Sequence, residues 1–195
     1  TKKKIRAKVH TMSSLAEETA TKSLSGTWID GQMGPGTLSV HAGVSPCEKT
    51  GAILTPIYQS TTFVQPSIDG YLSKGYSYSR TRNPTVEVLS EKVAQMEGSS
   101  FAATMFGTGM AATVTVMSSF LNTGDHVIVT NCSYGGTNRA ARLLFAEKYR
   151  VEVTFVDFSD VSKIADAVTS KTKMIFSESP TNPTMMLADI AAISD

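Results

Sequence analysis

Four short stretches of the sequence put chemically capable side chains at useful spacing. In Gly107-Thr108-Gly109-Met110-Ala111, two glycines permit a tight turn and leave backbone N–H groups pointing outward where a helix begins. The helix dipole adds partial positive charge, which suits a phosphate. The same glycines serve equally well if they only make a turn. Ser133-Tyr134-Gly135-Gly136-Thr137 sets a tyrosine before two glycines, with little cover from neighbouring side chains. Its ring could stack on a flat ligand and its hydroxyl could act as acid or base, or it simply caps a sheet edge. In Glu178-Ser179-Pro180-Thr181-Asn182-Pro183, two prolines three apart stiffen a loop and restrict the Asn182 amide, although alone they also read as an ordinary turn. In the stretch Tyr76-Ser77-Tyr78-Ser79-Arg80, Tyr78 and Arg80 are two apart and share one face of an extended segment. A phenol and a guanidinium there would clamp a phosphate dianion; an exposed basic arm is the plain alternative.

Positioning these stretches requires a scaffold, and the apolar spacing supplies one. From Thr85 onward, Val86, Leu89, Val93 and Met96 recur at three- and four-residue steps, which predicts a helix that Gly98 stops. Strands are then expected at 101–106, 126–130, 151–157 and 173–177. Helices are expected at 110–121, from Tyr134 to about Tyr149, at 161–168 and from Leu187 onward. Strands alternating with helices mean βαβ units, so the fold class is α/β with a mainly parallel sheet covered on both faces. Ligands of such sheets bind beyond the carboxyl ends of the strands. The loops after Phe106, Thr130 and Ser177 are the ones that hold three of the four stretches. Ahead of them, residues 1–36 read as a flexible tail and 37–84 as an extended arm, with 85–195 as the first part of the sheet domain.

Composition narrows the function classes. With 18 Lys+Arg against 17 Asp+Glu, the net charge of +1 recruits neither nucleic acid nor an anionic membrane by itself. Cys47 and Cys132 have no ligand spacing, so neither a disulfide framework nor a metal site is indicated, and a reducing, cytoplasmic setting is the default. No apolar run reaches the roughly 18 residues a membrane span needs. A dinucleotide site is disfavoured, because Ala112 stands where a third glycine belongs and no carboxylate follows the strand ending at Thr130. The basic start, Lys2-Lys3-Lys4-Ile5-Arg6-Ala7-Lys8, reads as a mobile tail or as the remnant of an organelle-targeting peptide. At the other end, Ile190 to Asp195 stops inside a helical apolar pattern.

The ordered set of motifs resembles one family. Tyr-x-Arg-x-x-Asn-Pro-Thr from Tyr78, Gly-Met-Ala-Ala from Gly109, Tyr-Gly-Gly-Thr from Tyr134 and Glu-Ser-Pro-Thr-Asn-Pro from Glu178 follow each other as in the Cys/Met-metabolism family of pyridoxal-phosphate enzymes. That family includes cystathionine γ-lyases, cystathionine γ-synthases and methionine γ-lyases. Thr55-Pro56-Ile57-Tyr58-Gln59-Ser60-Thr61-Thr62-Phe63 is also similar to its N-terminal arm, and the resemblance runs from about Thr37 to Asp195, the N-terminal half of such an enzyme.

The resemblance implies a fold-type I pyridoxal-phosphate transferase-like domain with pyridoxal 5'-phosphate as cofactor. Gly109 and Met110 would give backbone N–H groups to its phosphate, and Thr108 would stand where the family usually has serine. Tyr78 and Arg80 would bind the same phosphate from a neighbouring subunit, which implies a homo-oligomer, usually a tetramer. Tyr134 would stack on the ring and assist proton transfer or departure of the leaving group, making it the catalytic candidate. Asn182 would hold the ring's phenolic oxygen. The implied activity is carbon–sulfur cleavage of a sulfur amino acid, or γ-replacement in a synthase. Gly136 stands where methionine γ-lyases usually carry cysteine, which tilts the reading towards cystathionine. The family's Schiff-base lysine, pyridinium-facing aspartate and carboxylate-binding arginine are expected beyond Asp195, and Lys148, Lys171 and Lys173 offer no stand-in. By this reading the chain alone does not turn over substrate. A reading of another class is a non-catalytic module that pairs with full-length subunits through its arm.

Overall fold

The computed structural model describes residues 33–71, 73 and 75–195, so the basic start lies outside the described residues. The chain forms two compact units that divide after Met105.

In the first unit, Pro35 opens helix α1 (Pro35–His41) behind Gly34, a position where the missing N–H of proline is no loss. The glycine-rich stretch expected to be loose therefore holds a helix start. Helix α2 (Pro84–Met96) packs against α1, and Lys92 Nζ donates to Val40 O at 3.0 Å. Gly43 makes the close approach possible: its φ is 70°, and a Cβ there would lie 2.7 Å from the Val88 carbonyl oxygen. Ala42, Val44 and Ala94 are buried at this junction. Between the helices, the arm folds back on itself through one antiparallel bridge, Thr62 opposite Tyr78. Phe63 N donates to Ser77 O and Ser79 N to Thr61 O, each at 2.9 Å.

In the second unit, helix α3 (Gly109–Phe120) leads to β1 (His126–Thr130), then α4 (Gly135–Arg139), which continues as a π-wound segment over Ala140–Lys148. Strand β2 (Glu152–Val156), helix α5 (Val161–Ala167), strand β3 (Thr172–Phe176) and helix α6 (Ile190–Ser194) complete it. The three strands are parallel in the order β2-β1-β3, with His126 opposite both Glu152 and Thr172. All five residues of β1 are buried, as expected for a central strand covered on both faces. Alternation then sorts the core. Val127 and Val129 pack with Met117, Leu121, Ala141, Phe145 and Val151, whereas Ile128 packs with Val156, Phe158 and Ile164. The buried ring of His126 is a core histidine with both nitrogens engaged, Nδ1 at 2.7 Å from Thr172 Oγ1 and Nε2 at 2.8 Å from Thr154 Oγ1. It ties the amino ends of all three strands, away from the ligand loops.

Two expectations change. Residues 101–106 carry no ladder among the described residues; Ser90 Oγ of α2 donates to Ala103 O instead. Here the apolar run is neither paired nor buried, with Phe101 and Phe106 exposed, and only a partner makes such a run a strand. The helix after Tyr134 is not α-helical throughout, because apolar spacing does not separate an α turn from a slightly wider π turn.

Candidate functional site

The start of α3 is shaped by Thr108. Its extended backbone ends the preceding segment, its Oγ1 accepts from Ala111 N at 3.1 Å, and its carbonyl accepts from Ala112 N at 3.2 Å. Those bonds leave the N–H groups of Gly109 and Met110 as first-turn donors with no helical carbonyl to reach. The Thr108 hydroxyl proton is also left to donate, since a hydroxyl oxygen that accepts one bond can still give one. A cavity of about 710 Å³ opens at this helix start, lined by Thr108, Gly109, Met110, Thr113, Tyr134, Thr137, Phe176, Ser177 and Glu178. It lies at the carboxyl ends of β1 and β3, where a parallel sheet is expected to present its ligand.

Tyr134 sits at the N-cap of α4, half exposed, with its ring over Gly136. A Cβ on Gly136 would lie 2.4 Å from Tyr134 Cε1 and 2.8 Å from Met110 Sδ, so the absence of a side chain there is what lets ring, glycine and methionine close together. Tyr134 and Met110 thus close over Gly136 and both line the cavity beside the donors of α3.

The loop after β3 is knitted by its own polar groups. Thr181 is buried, and its Oγ1 accepts from Met186 N at 2.9 Å while Ser179 Oγ accepts from Ala188 N at 3.0 Å. Both X-Pro bonds of the loop are cis. Cys132 Sγ lies 2.7 Å from Thr184 Oγ1, which joins the loop after β1 to this one. Glu178 joins them a second time. Its Oε2 accepts from Tyr134 N and its Oε1 from Asn182 N, both at 2.8 Å. Asn182 is exposed and does not line the cavity, but it is tied to a residue that does.

Tyr78 and Arg80 belong to the first unit. The extended segment expected here turns after Tyr78, whose carbonyl accepts from Thr81 N at 2.9 Å and Arg82 N at 3.1 Å. That turn brings the two side chains together: Arg80 donates to Tyr78 OH at 3.1 Å, and its guanidinium lies 5.2 Å from the phenol centroid. Both are exposed, and among the described residues no carboxylate pairs with Arg80. Arg82, by contrast, is held by Glu87 and lies over the Tyr76 ring. The clamp is framed by Asn83, whose Oδ1 caps α2 by accepting from Thr85 N at 2.9 Å. Its amide donates to Tyr58 O and Ser79 Oγ, both at 3.0 Å.

The second unit thus brings Thr108, Gly109, Met110 and Tyr134 to one cavity and links Asn182 to it. Sequence reasoning missed Glu178 as an individual residue. The signal was an acid immediately beyond an expected parallel strand, where ligand loops begin.

The family model for Cys/Met metabolism PLP-dependent enzymes matches residues 36–195. The chain belongs to this family. It is 41% identical over 165 residues to a cystathionine gamma-synthase of Mycobacterium bovis and 42% identical over 159 residues to a cystathionine gamma-lyase of Bacillus subtilis. Those alignments take in 85% and 82% of this chain. It superposes on the crystal structure of metB from Corynebacterium glutamicum with a TM-score of 0.80 at 42% identity, over 84% of this chain and 42% of that one. The chain spans 42% and 41% of the length of the two curated relatives.

Members of the family depend on pyridoxal phosphate, and the donor set fits that group. Two free N–H groups and a hydroxyl at a helix start suit its phosphate, and the Tyr134 ring suits its flat pyridine. The one carboxylate lining the cavity, Glu178, has both oxygens engaged by backbone N–H groups.

Proposed function

We propose that the complete protein is a pyridoxal-phosphate-dependent carbon–sulfur lyase of sulfur amino-acid metabolism, acting by γ-elimination on cystathionine or methionine. This chain carries the part that grips the cofactor's phosphate and ring. The observation that supports this best is the meeting of the Thr108–Met110 helix start and the Tyr134 ring at one cavity, at the carboxyl ends of the strands. Pyridoxal phosphate supplies an electron sink for the charge left when the substrate's α-proton departs.

The chain's own residues do the rest. Gly109 N and Met110 N hold the phosphate, with the Thr108 hydroxyl beside them. Tyr134 covers the ring, keeps water from that face, and holds a proton at its hydroxyl for the leaving sulfur. Asn182 orients the ring's phenolic oxygen. Tyr78 and Arg80 complete the phosphate site of a neighbouring copy, so the working unit is at least a homodimer, and a tetramer when two such pairs join. Exposed Ile53, Leu54, Ile57, Val64 and Ile68 in the arm support that reading, since apolar side chains at such density favour a protein partner. No helix among the described residues is long and apolar enough to cross a membrane. Two cysteines without ligand or disulfide spacing favour a reducing compartment, and we propose the cytoplasm. None of the residues lining the cavity is a lysine, and the isolated chain is expected to be inactive.

A second reading is cystathionine γ-synthase, supported because relatives named as synthases match this chain as well as those named as lyases. Gly136 supports cystathionine over methionine in either case. The full-length protein incubated with cystathionine should release thiol, and with an activated homoserine ester plus cysteine it should not form cystathionine; the reverse result selects the synthase. Tyr134→Phe should keep the bound cofactor and slow turnover by about a hundredfold or more, the range of a positioned acid–base group. Wild-type turnover in that variant removes the hydroxyl from the mechanism.

A further inference from the structure

We propose that Glu178 is a positioning residue for this site, acting through the backbone of Tyr134 and Asn182 rather than on substrate; its role in catalysis rests on the cofactor reading above. The carboxylate divides its two oxygens between two loops. Oε2 takes the N–H of Tyr134, after β1, and Oε1 takes the N–H of Asn182, after β3, each at 2.8 Å. The two strands are hydrogen-bonded neighbours, so their loops begin about 4.8 Å apart, a gap one glutamate side chain can bridge. Bonds from backbone N–H to an ionised acceptor are the stronger kind, and here one side chain makes two of them.

The bridge matters because of what Tyr134 has beneath it. A Cβ added at Gly136 would lie 2.4 Å from the ring's Cε1 and 2.8 Å from Met110 Sδ, so the ring sits tight against the Gly136 backbone. Ring position therefore follows backbone position, and a shift of about 1 Å in a catalytic group can cost a hundredfold in rate. Aspartate is one methylene shorter and cannot span both N–H groups. Glutamine keeps one acceptor and turns an N–H against the other donor, breaking half of the bridge. The split also explains how a carboxylate is tolerated beside an anion site, since both oxygens already face N–H groups.

The test uses the full-length protein with Glu178→Ala and Glu178→Gln. In the apo form, amide hydrogen exchange at Tyr134 and Asn182 should accelerate about tenfold or more in Glu178→Ala, with the β1 amides unchanged. Glu178→Gln should accelerate one of the two more than the other. In the holoenzyme, kcat should fall more than KM rises, and adding Tyr134→Phe to Glu178→Ala should cost much less than it does in the wild type. Unchanged exchange at both amides overturns the proposal. So does acceleration of the β1 amides together with them, which marks a general loss of stability. If the wild type retains no pyridoxal phosphate while the two amides still respond locally, the cofactor reading fails and the bridge stands.

Discussion

The two units place their functional side chains by different physics. In the second, a central strand buried on both faces anchors everything: Val127 and Val129 face one helix layer, Ile128 the other, and the ligand loops start where those strands end. In the first, the clamp of Tyr78 and Arg80 hangs on polar fastenings. Asn83 holds Tyr58 and Ser79, Thr85 Oγ1 donates to Pro56 O and accepts from Tyr58 N, and the Gln65 amide bridges Phe63 O and Tyr76 O. Around these fastenings, large apolar side chains stay exposed, Val64 at 85% and Ile68 at 95%. A core fixes position by excluding alternatives. Hydrogen-bonded clasps fix local shape and leave hydrophobic surface exposed.

That contrast can be broken or sharpened experimentally. Phe145→Ala removes one of the largest side chains of the second unit's core and should cost about 3–5 kcal/mol, read from the denaturant midpoint. A cost below about 1 kcal/mol would mean that the core is not what positions the loops. Arg80→Ala in the complete enzyme should weaken retention of pyridoxal phosphate by about ten- to a hundredfold, the worth of a charged hydrogen bond, while the unfolding temperature stays put. Unchanged cofactor affinity would refute its role in the clamp. Asn83→Ala should cost about 1–2 kcal/mol, concentrated in the arm and the start of α2, since it removes a helix cap and two further bonds. Exchange at the amides of 58–85 should rise while β1 stays protected; a uniform rise would show that the two units unfold as one.

The smallest effect is a pH dependence confined to the first unit. Burial raises the Tyr76 phenol above its ordinary value of 10.0, against the opposing pull of Arg82. The folded arm therefore favours the neutral phenol. That contribution is complete below the unfolded value and is lost as pH rises through the raised folded one. Tyr76→Phe should flatten the alkaline decline of stability, and an identical decline in both proteins would assign it elsewhere.

Much of the second unit was legible in the sequence because its signals are local. β-branched residues mark His126–Thr130, Gly124 closes the turn before it at a φ of 86°, and Thr108 announces a helix start with its own side chain. The pairing of Tyr78 with Arg80 is expected from an extended segment, but a turn closed by the Tyr78 carbonyl makes it. What failed was non-local. Residues 101–106 look like a strand, but pairing depends on which chain segment lies alongside.

The residue types at the strand ends, and hence the candidate for a phosphate-and-ring site on an α/β sheet, are thus a property of the sequence: turn chemistry, helix starts and apolar spacing act over a few residues. Two things belong to the tertiary structure. One is the seat of the Tyr134 ring, which depends on Gly136 and on Met110 from a separate helix. The other is the Glu178 bridge, whose partners stand 44 and 4 residues away along the chain. Only the pairing of β1 with β3 brings those two N–H groups within reach of one carboxylate, and spacing along a chain carries no record of which strands will be neighbours.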